Sequence, residues 1–226
     1  MKTMILAAGR GERLRPLTDR TPKPLLPVAG RPMIEYTLEA LASAGLTDII
    51  INLAYLGNQI KSHLGNGQRF GAIINYSDEG ETGLETAGGI IHALPLLGNE
   101  PFLLINGDIA TDFPLSTLKT IKPELAHLVL VPNPEHHPKG DFGLDHDRVM
   151  EKAATIYTYS GIGVYHPNLF IDCKPGKARL GPLLRQTIKN KRISGEFFDG
   201  FWKDIGSRQR LEELNDLYQK KRTQNA

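Results

Sequence analysis

The chain predicts an α/β fold in which a mostly parallel sheet is covered by helices on both faces. Short apolar runs alternate with amphipathic helical stretches through the first half. The first of these runs, Met4-Ile5-Leu6, leads directly into a glycine-rich basic loop. Those two observations set the class. A length of 226 residues then fits one domain of generous size.

Met4 to Leu6 reads as a short buried strand. Pro32 sits where a first helical residue would, and Ile34, Leu38 and Leu41 form one apolar face closed by Ala44-Gly45. Asp48 to Leu53 is a second strand. Asn58 caps a short helix carrying Ile60 and Leu64, with Gly65 at its end. Ile73 to Tyr76 is a strand, Ala87 to Leu96 a helix and Phe102 to Ile105 a strand. In the less regular second half, Leu125 to Val131 is a strand and Pro132 to Gly140 a polar loop. Asp141 to Ala153 contains a short hairpin, and Ile162 to Tyr165 is another strand. Leu180 to Ile188 is helical. The last helix runs from Ser207 with Leu211, Leu214, Leu217 and Tyr218 on one face, and Lys220 to Ala226 is a polar, frayed end. Residues 1–226 are expected to form one domain, with a regular first half, 1–122, and a less regular second half, 123–226.

A formal net charge of +2 gives no field suited to nucleic acid. One cysteine, Cys173, excludes a disulfide framework and a multi-cysteine metal site, and it reads as a bystander. No apolar run reaches membrane-spanning length, and Arg10, Glu12 and Arg13 interrupt the N-terminal apolar stretch too early for a signal peptide. The expected setting is the cytoplasm, with no membrane and no nucleic acid as partner.

The loop Ala7-Ala8-Gly9-Arg10-Gly11-Glu12-Arg13-Leu14-Arg15-Pro16-Leu17-Thr18, followed by Pro22-Lys23-Pro24, suits a polyphosphate. Small side chains let a ligand approach the backbone. Gly9 and Gly11 can take positive φ and turn N–H groups toward one point. Arg13, Arg15 and Lys23 add positive charge, and the flanking prolines are expected to hold Lys23 on extended backbone. The loop is neither G-x-x-x-x-G-K-[ST] nor G-x-G-x-x-G, since Leu14 occupies the last glycine position.

Two aspartates are candidate metal ligands. Asp108 ends the run Phe102-Leu103-Leu104-Ile105-Asn106-Gly107-Asp108, at the carboxyl edge where open α/β sheets bind ligands. Asp204 follows a short aromatic strand and precedes the last helix; its local pattern fits a helix cap equally well. Mg²⁺ needs one or two carboxylates plus substrate phosphates, and this pair meets that need. Zinc is not indicated, and the adjacent His136 and His137 read as loop residues.

These motifs together resemble the sugar-1-phosphate nucleotidylyltransferases. The resemblance runs through Gly9-x-Gly11-x-Arg13-x-x-Pro16-Leu17-Thr18, Pro22-Lys23-Pro24, Asn106-Gly107-Asp108 and Trp202-x-Asp204-Ile205-Gly206, in order along nearly the whole chain. It implies a Rossmann-like (GT-A-like) mixed, mostly parallel sheet, with 1–122 mainly a nucleotide-binding half and 123–226 mainly a sugar-binding half. It also implies Mg²⁺-dependent transfer from an NTP to a sugar 1-phosphate with release of pyrophosphate. Arg13 and Lys23 would be catalytic, Arg13 on the departing pyrophosphate and Lys23 bridging phosphates. Leu6, Ala8, Gly9, Gly11, Glu12, Arg13, Lys23, Glu79, Gly80, Glu85 and Asn106 would form the nucleotide site. Asp108 and Asp204 would hold Mg²⁺. Asn106, Asp141 and Lys152 would serve the sugar phosphate and sugar pocket. Two positions depart from the pattern: Glu85 stands where glycine is usual, and Ala153 replaces the proline after Glu151-Lys152. Many relatives carry a C-terminal extension; only transferase activity is expected of the present chain.

Within that family, Leu84-Glu85-Thr86, His136-His137 and Gly140-Asp141-Phe142 resemble the uridylyltransferases that use UTP and N-acetylmuramate 1-phosphate in cell-wall recycling. A guanylyltransferase for mannose 1-phosphate fits these short matches too. A catalytically silent nucleotide-sugar sensor is the alternative from a different class, and the joint presence of Arg13, Lys23, Asp108 and Asp204 argues against it.

Overall fold

A computed structural model describes residues 1–224. The order of elements is β1 (Thr3–Leu6), β2 (Pro27–Val28), β3 (Arg31–Pro32), α1 (Met33–Ser43), β4 (Asp48–Leu53), α2 (Gly57–Leu64), β5 (Ile73–Asp78), α3 (Glu85–Leu97), β6 (Phe102–Asn106) and β7 (Ile109–Thr111). The second half contributes β8 (Ala126–Val131), β9 (Phe142–Asp145), β10 (Arg148–Met150), β11 (Ile156–Tyr165), α4 (Leu180–Lys189), β12 (Ile193–Phe197), β13 (Trp202–Asp204) and α5 (Arg208–Gln224).

Nine strands form one mixed sheet in the order β5-β4-β1-β6-β11-β8-β12-β10-β9. The first four in that order are mutually parallel, as the β-α-β rhythm predicts. Antiparallel pairing enters with β11, which runs against both β6 and β8. The β9/β10 hairpin is the one expected between Asp141 and Ala153.

Alternation along the central strands fills both faces. Ile5, Leu103 and Ile105 join a core with Ile34, Leu38 and Leu41 of α1 and Ile60 and Leu64 of α2. Met4, Phe102 and Leu104 join the opposite core with Ile90, Ala93 and Leu97 of α3 and Leu184 and Ile188 of α4. Such two-sided burial is why these strands read as unbroken apolar runs. A third cluster ties Leu211 and Leu214 of α5 to Leu14, Leu26, Val28 and Met33, so the last helix clamps the N-terminal loop.

Several boundaries differ from expectation. Asn58 does not cap α2; the helix starts at Gly57 behind Leu56, which has left-handed φ of 57° and makes no side-chain cap. α3 begins at Glu85 rather than Ala87. β11 starts six residues before Ile162, because Tyr157, Thr158 and Tyr159 pair across the sheet despite their polarity. β12 and β7 were not expected from the pattern; β12 carries Ser194, Gly195 and Glu196, and β7 has three residues. The polar end is helical as far as Gln224, and residues 225–226 of the expected frayed tail lie outside the described residues. Among the described residues, no helix is long and apolar enough to cross a membrane.

Candidate active site

The register of the central strands creates the site. Leu6 of β1 lies opposite Asn106 of β6, so both chains leave the sheet at the same edge. There they border a cleft of about 570 Å³ lined by Leu6 to Leu14, Lys23, Glu79, Thr82 to Thr86, Asn106 to Asp108, Lys177 and Gly206. This is the carboxyl-edge crevice where open α/β sheets place their ligands.

Within the loop, Gly11 takes φ of 65°, and a Cβ there would lie 2.8 Å from Thr18 Cγ2. Thr18 Oγ1 donates to the Gly11 carbonyl at 2.9 Å, and Leu14 N to the same oxygen at 2.9 Å. Gly9 does not adopt positive φ; a Cβ there would enter open space. Its contribution is absence of bulk, which leaves the backbone approachable. The Lys23 backbone also differs from expectation. Pro22 is extended, but Lys23–Leu25 is a 3₁₀ turn closed by Leu26 N to the Lys23 carbonyl at 3.1 Å. Pro24 is tolerated because a first-turn residue has no N–H bond to lose.

Lys23 Nζ forms an ion pair with Asp108 Oδ2, with both side chains mostly shielded. Asp204 reaches the same place through a two-stranded ladder. β13 runs antiparallel to β7 with Asp204 opposite Ile109, and Ile205 N donates to the Asp108 carbonyl at 2.8 Å. Trp202 Nε1 donates to the Ser160 carbonyl at 2.9 Å, which anchors β13 on β11. The cap reading of Asp204 falls away, since Ser207 Oγ accepts from Arg210 N at 3.3 Å at the start of α5. Two carboxylates from distant segments, Asp204 on the ladder and Asp108 just before it, with Lys23 and Arg210 paired to them, are a donor set of the kind that fits Mg²⁺ completed by substrate oxygens. Among the described residues there is no cluster of three or more His, Cys, Asp or Glu fit for a metal.

Two partners of Asp204 were not anticipated. Arg210 Nη1 lies 2.6 Å from Asp204 Oδ1, and His136 Nε2 lies 3.1 Å from it. His136 is therefore more than a loop residue. Burial lowers its pKa, Asp204 opposes that shift, and Arg210 reinforces it. Nothing in the sequence spacing links residue 136 to residues 204 and 210; the contacts of His136 with Asp204 and Arg210 do.

The base side of the cleft is braced by a hydrogen-bond chain. Ala7 N donates to Asn52 Oδ1 at 2.7 Å, Asn52 Nδ2 to Glu79 Oε1 at 2.6 Å, and Leu84 N to Glu79 Oε2 at 2.6 Å. Glu79 thus pins the Leu84–Thr86 segment with both oxygens engaged. Asn52, buried at the end of β4, was missed because a lone Asn in an apolar run carries no motif. Gly80 supplies a turn at φ of 74° rather than a cleft wall. Glu85 adopts φ of 62°, a conformation glycine takes without penalty, and lies 3.9 Å from Arg179 Nε. Asn106 packs against Gly161, where φ is 81° and a side chain would overlap the amide. That glycine sits where the β11/β8 register shifts.

The sugar-side residues divide. Asn106 lines the cleft, but Asp141 and Lys152 do not. The Asp141 carboxylate accepts from Tyr159 N at 2.9 Å and contacts His137 Nε2 at 3.1 Å, fastening the polar loop to β11. Lys152 is exposed after β10. Lys177, absent from the expected set, lines the cleft instead. Cys173 has its thiol pKa raised by burial and by Asp172, which disfavours the thiolate and fits a bystander.

Comparison with known proteins agrees with this geometry. The chain is 49% identical to the N-acetylmuramate alpha-1-phosphate uridylyltransferase of Neisseria meningitidis serogroup B, over 96% of this chain and 98% of that one. It is 32% identical to the protein of the same name from Caulobacter vibrioides, over 91% and 92% respectively. A solved chain from Bacillus anthracis, assigned as a glucose-1-phosphate thymidylyltransferase and bound to sucrose, superposes with a TM-score of 0.85 at 26% identity. It covers 97% of this chain and 95% of its own. The family model described as nucleotidyl transferase matches residues 2–221, and the chain belongs to that family of enzymes.

Proposed function

We propose that the protein transfers a uridylyl group from UTP to N-acetylmuramate 1-phosphate, giving the UDP-sugar and pyrophosphate, in the cytoplasmic recycling of cell-wall sugar. The observation that supports the reaction class is the Lys23–Asp108 ion pair in the cleft beside the Gly9–Arg13 loop, with Asp204 opposite Ile109 on the adjoining ladder. The match to two enzymes named for that sugar supports the substrate.

The nucleophile is a phosphate oxygen of the sugar 1-phosphate. With a second pKa near ~6 it is mostly dianionic at neutral pH and needs no general base. The obstacle is repulsion between anions, so catalysis consists of alignment and charge neutralisation. The oxygen attacks the α-phosphorus in line, the α–β bridging bond breaks, and its electron pair leaves on pyrophosphate. Lys23 would neutralise charge at the α-phosphate, and Arg13 would hold the departing pyrophosphate. Asp108 and Asp204 would hold Mg²⁺, which when bound offsets phosphate charge.

A pyrophosphate-release screen of four NTPs against a panel of sugar 1-phosphates tests this reading. UTP with N-acetylmuramate 1-phosphate is expected to give the highest kcat/KM. GTP with mannose 1-phosphate outrunning it would overturn the substrate assignment, and no release with any pair would leave a sensing module as the better reading.

A further inference from the structure

Lys23 is paired with Asp108, Arg210 with Asp204, and Lys203 with Glu213. Among the described residues, Lys177 lines the same cleft without a hydrogen-bonding or ion-pair partner. It is nevertheless fixed in place. Ala178 N donates to the Leu84 carbonyl at 3.0 Å, and Gly88 N to the Ala178 carbonyl at 3.1 Å, so residues 176–179 are pinned to the start of α3. A side chain at Gly88 would overlap the Gly176 carbonyl, so the two segments pack backbone to backbone. Ala178 packs toward the core, and Lys177 and Arg179 flank it on the outer side.

Leu84 is bonded through both of its backbone groups: its N–H donates to Glu79, and its carbonyl accepts from Ala178 N on the wall contributed by the second half. Lys177 is thereby held at the cleft beside the segment that Glu79 braces. With Arg13 and Lys23 assigned to the phosphates and Arg10 lying over the Tyr55 ring, Lys177 is left for another anion. An ordinary sugar 1-phosphate offers none, whereas N-acetylmuramate carries a carboxylate on its lactyl ether.

We propose that Lys177, with Arg179 beside it, forms a carboxylate subsite that selects the lactyl-bearing sugar. This rests on the sugar reading above. A single charge-assisted contact of this kind is worth about 10- to 100-fold in kcat/KM. Glu85, loosely paired with Arg179, limits the positive charge of the wall when no substrate is bound.

The test compares N-acetylmuramate 1-phosphate with N-acetylglucosamine 1-phosphate, which lacks only the lactyl group, in wild type, Lys177→Ala and Lys177→Arg. The ratio of kcat/KM for the two sugars is expected to fall at least about tenfold in Lys177→Ala and to be largely kept in Lys177→Arg. Thermal melting confirms that both variants fold, which the exposure of this side chain favours. A wild-type preference retained in Lys177→Ala, or an equal loss on both sugars, overturns the subsite alone; equal loss would mark Lys177 as a phosphate contact. A wild type with no preference overturns the sugar assignment and the subsite with it.

Discussion

Lys23→Ala is expected to lower kcat by about two to four orders of magnitude with the fold intact. The side chain is mostly shielded and reaches Asp108 from a 3₁₀ turn closed by its own carbonyl. Because that turn is held by backbone bonds and by Pro24, truncation leaves the loop in place and removes only the ammonium. The ion pair is open on the Asp108 side, so the stability loss is about 1 kcal/mol. The rate loss is larger because the charge acts on phosphate oxygens whose charge shifts during transfer, in a partly water-excluded cleft. Arginine is a poor replacement, since its planar fork cannot occupy a site shaped for a compact ammonium. Retention of wild-type kcat in Lys23→Ala, measured by pyrophosphate release with saturating substrates, would remove this residue from the reaction.

Asp108→Asn is expected to raise the Mg²⁺ concentration for half-maximal activity at least about tenfold and to cut activity at fixed metal. The substitution keeps shape but removes the carboxylate that immediately precedes β7. It also leaves Lys23 without its counter-charge. The backbone carbonyl of Asp108 still accepts from Ile205 N, so the ladder persists and the effect is electrostatic. A metal titration superimposable on wild type would place Asp108 outside the metal site.

Legibility of the chain followed the physics of each segment. The parallel half is buried on both faces, so Asp48–Leu53 and Phe102–Asn106 announce themselves as apolar runs. β12 and the early part of β11 lie where polar side chains hydrogen-bond within the sheet, as in Ser160 Oγ to the Val129 carbonyl at 2.7 Å, and periodicity does not expose them. Lys23, Asp108 and Asp204 could be named as candidates because each sits in a local motif tied to a chemistry. Asn52, His136 and Lys177 were not, because each is placed by long-range contacts: Asn52 through Ala7 and Glu79, His136 through Asp204, and Lys177 through the Leu84–Ala178–Gly88 pairing; Arg210, six residues after Asp204, carries no motif of its own. Asp141 shows the converse. It carries a family motif, yet its carboxylate is engaged by Tyr159 N and His137.

The cleft is lined by Arg10, Arg13, Lys23 and Lys177, cations suited to neutralising and aligning phosphates. The proposed function predicts transfer in one step at the α-phosphorus, and stereochemistry tests it most directly. With UTP made chiral at the α-phosphorus by sulfur or isotopic oxygen, a single in-line displacement gives a UDP-sugar inverted at that centre. Net retention would require two displacements and a covalent uridylyl-enzyme, and would contradict the role assigned to Lys23, Asp108 and Asp204.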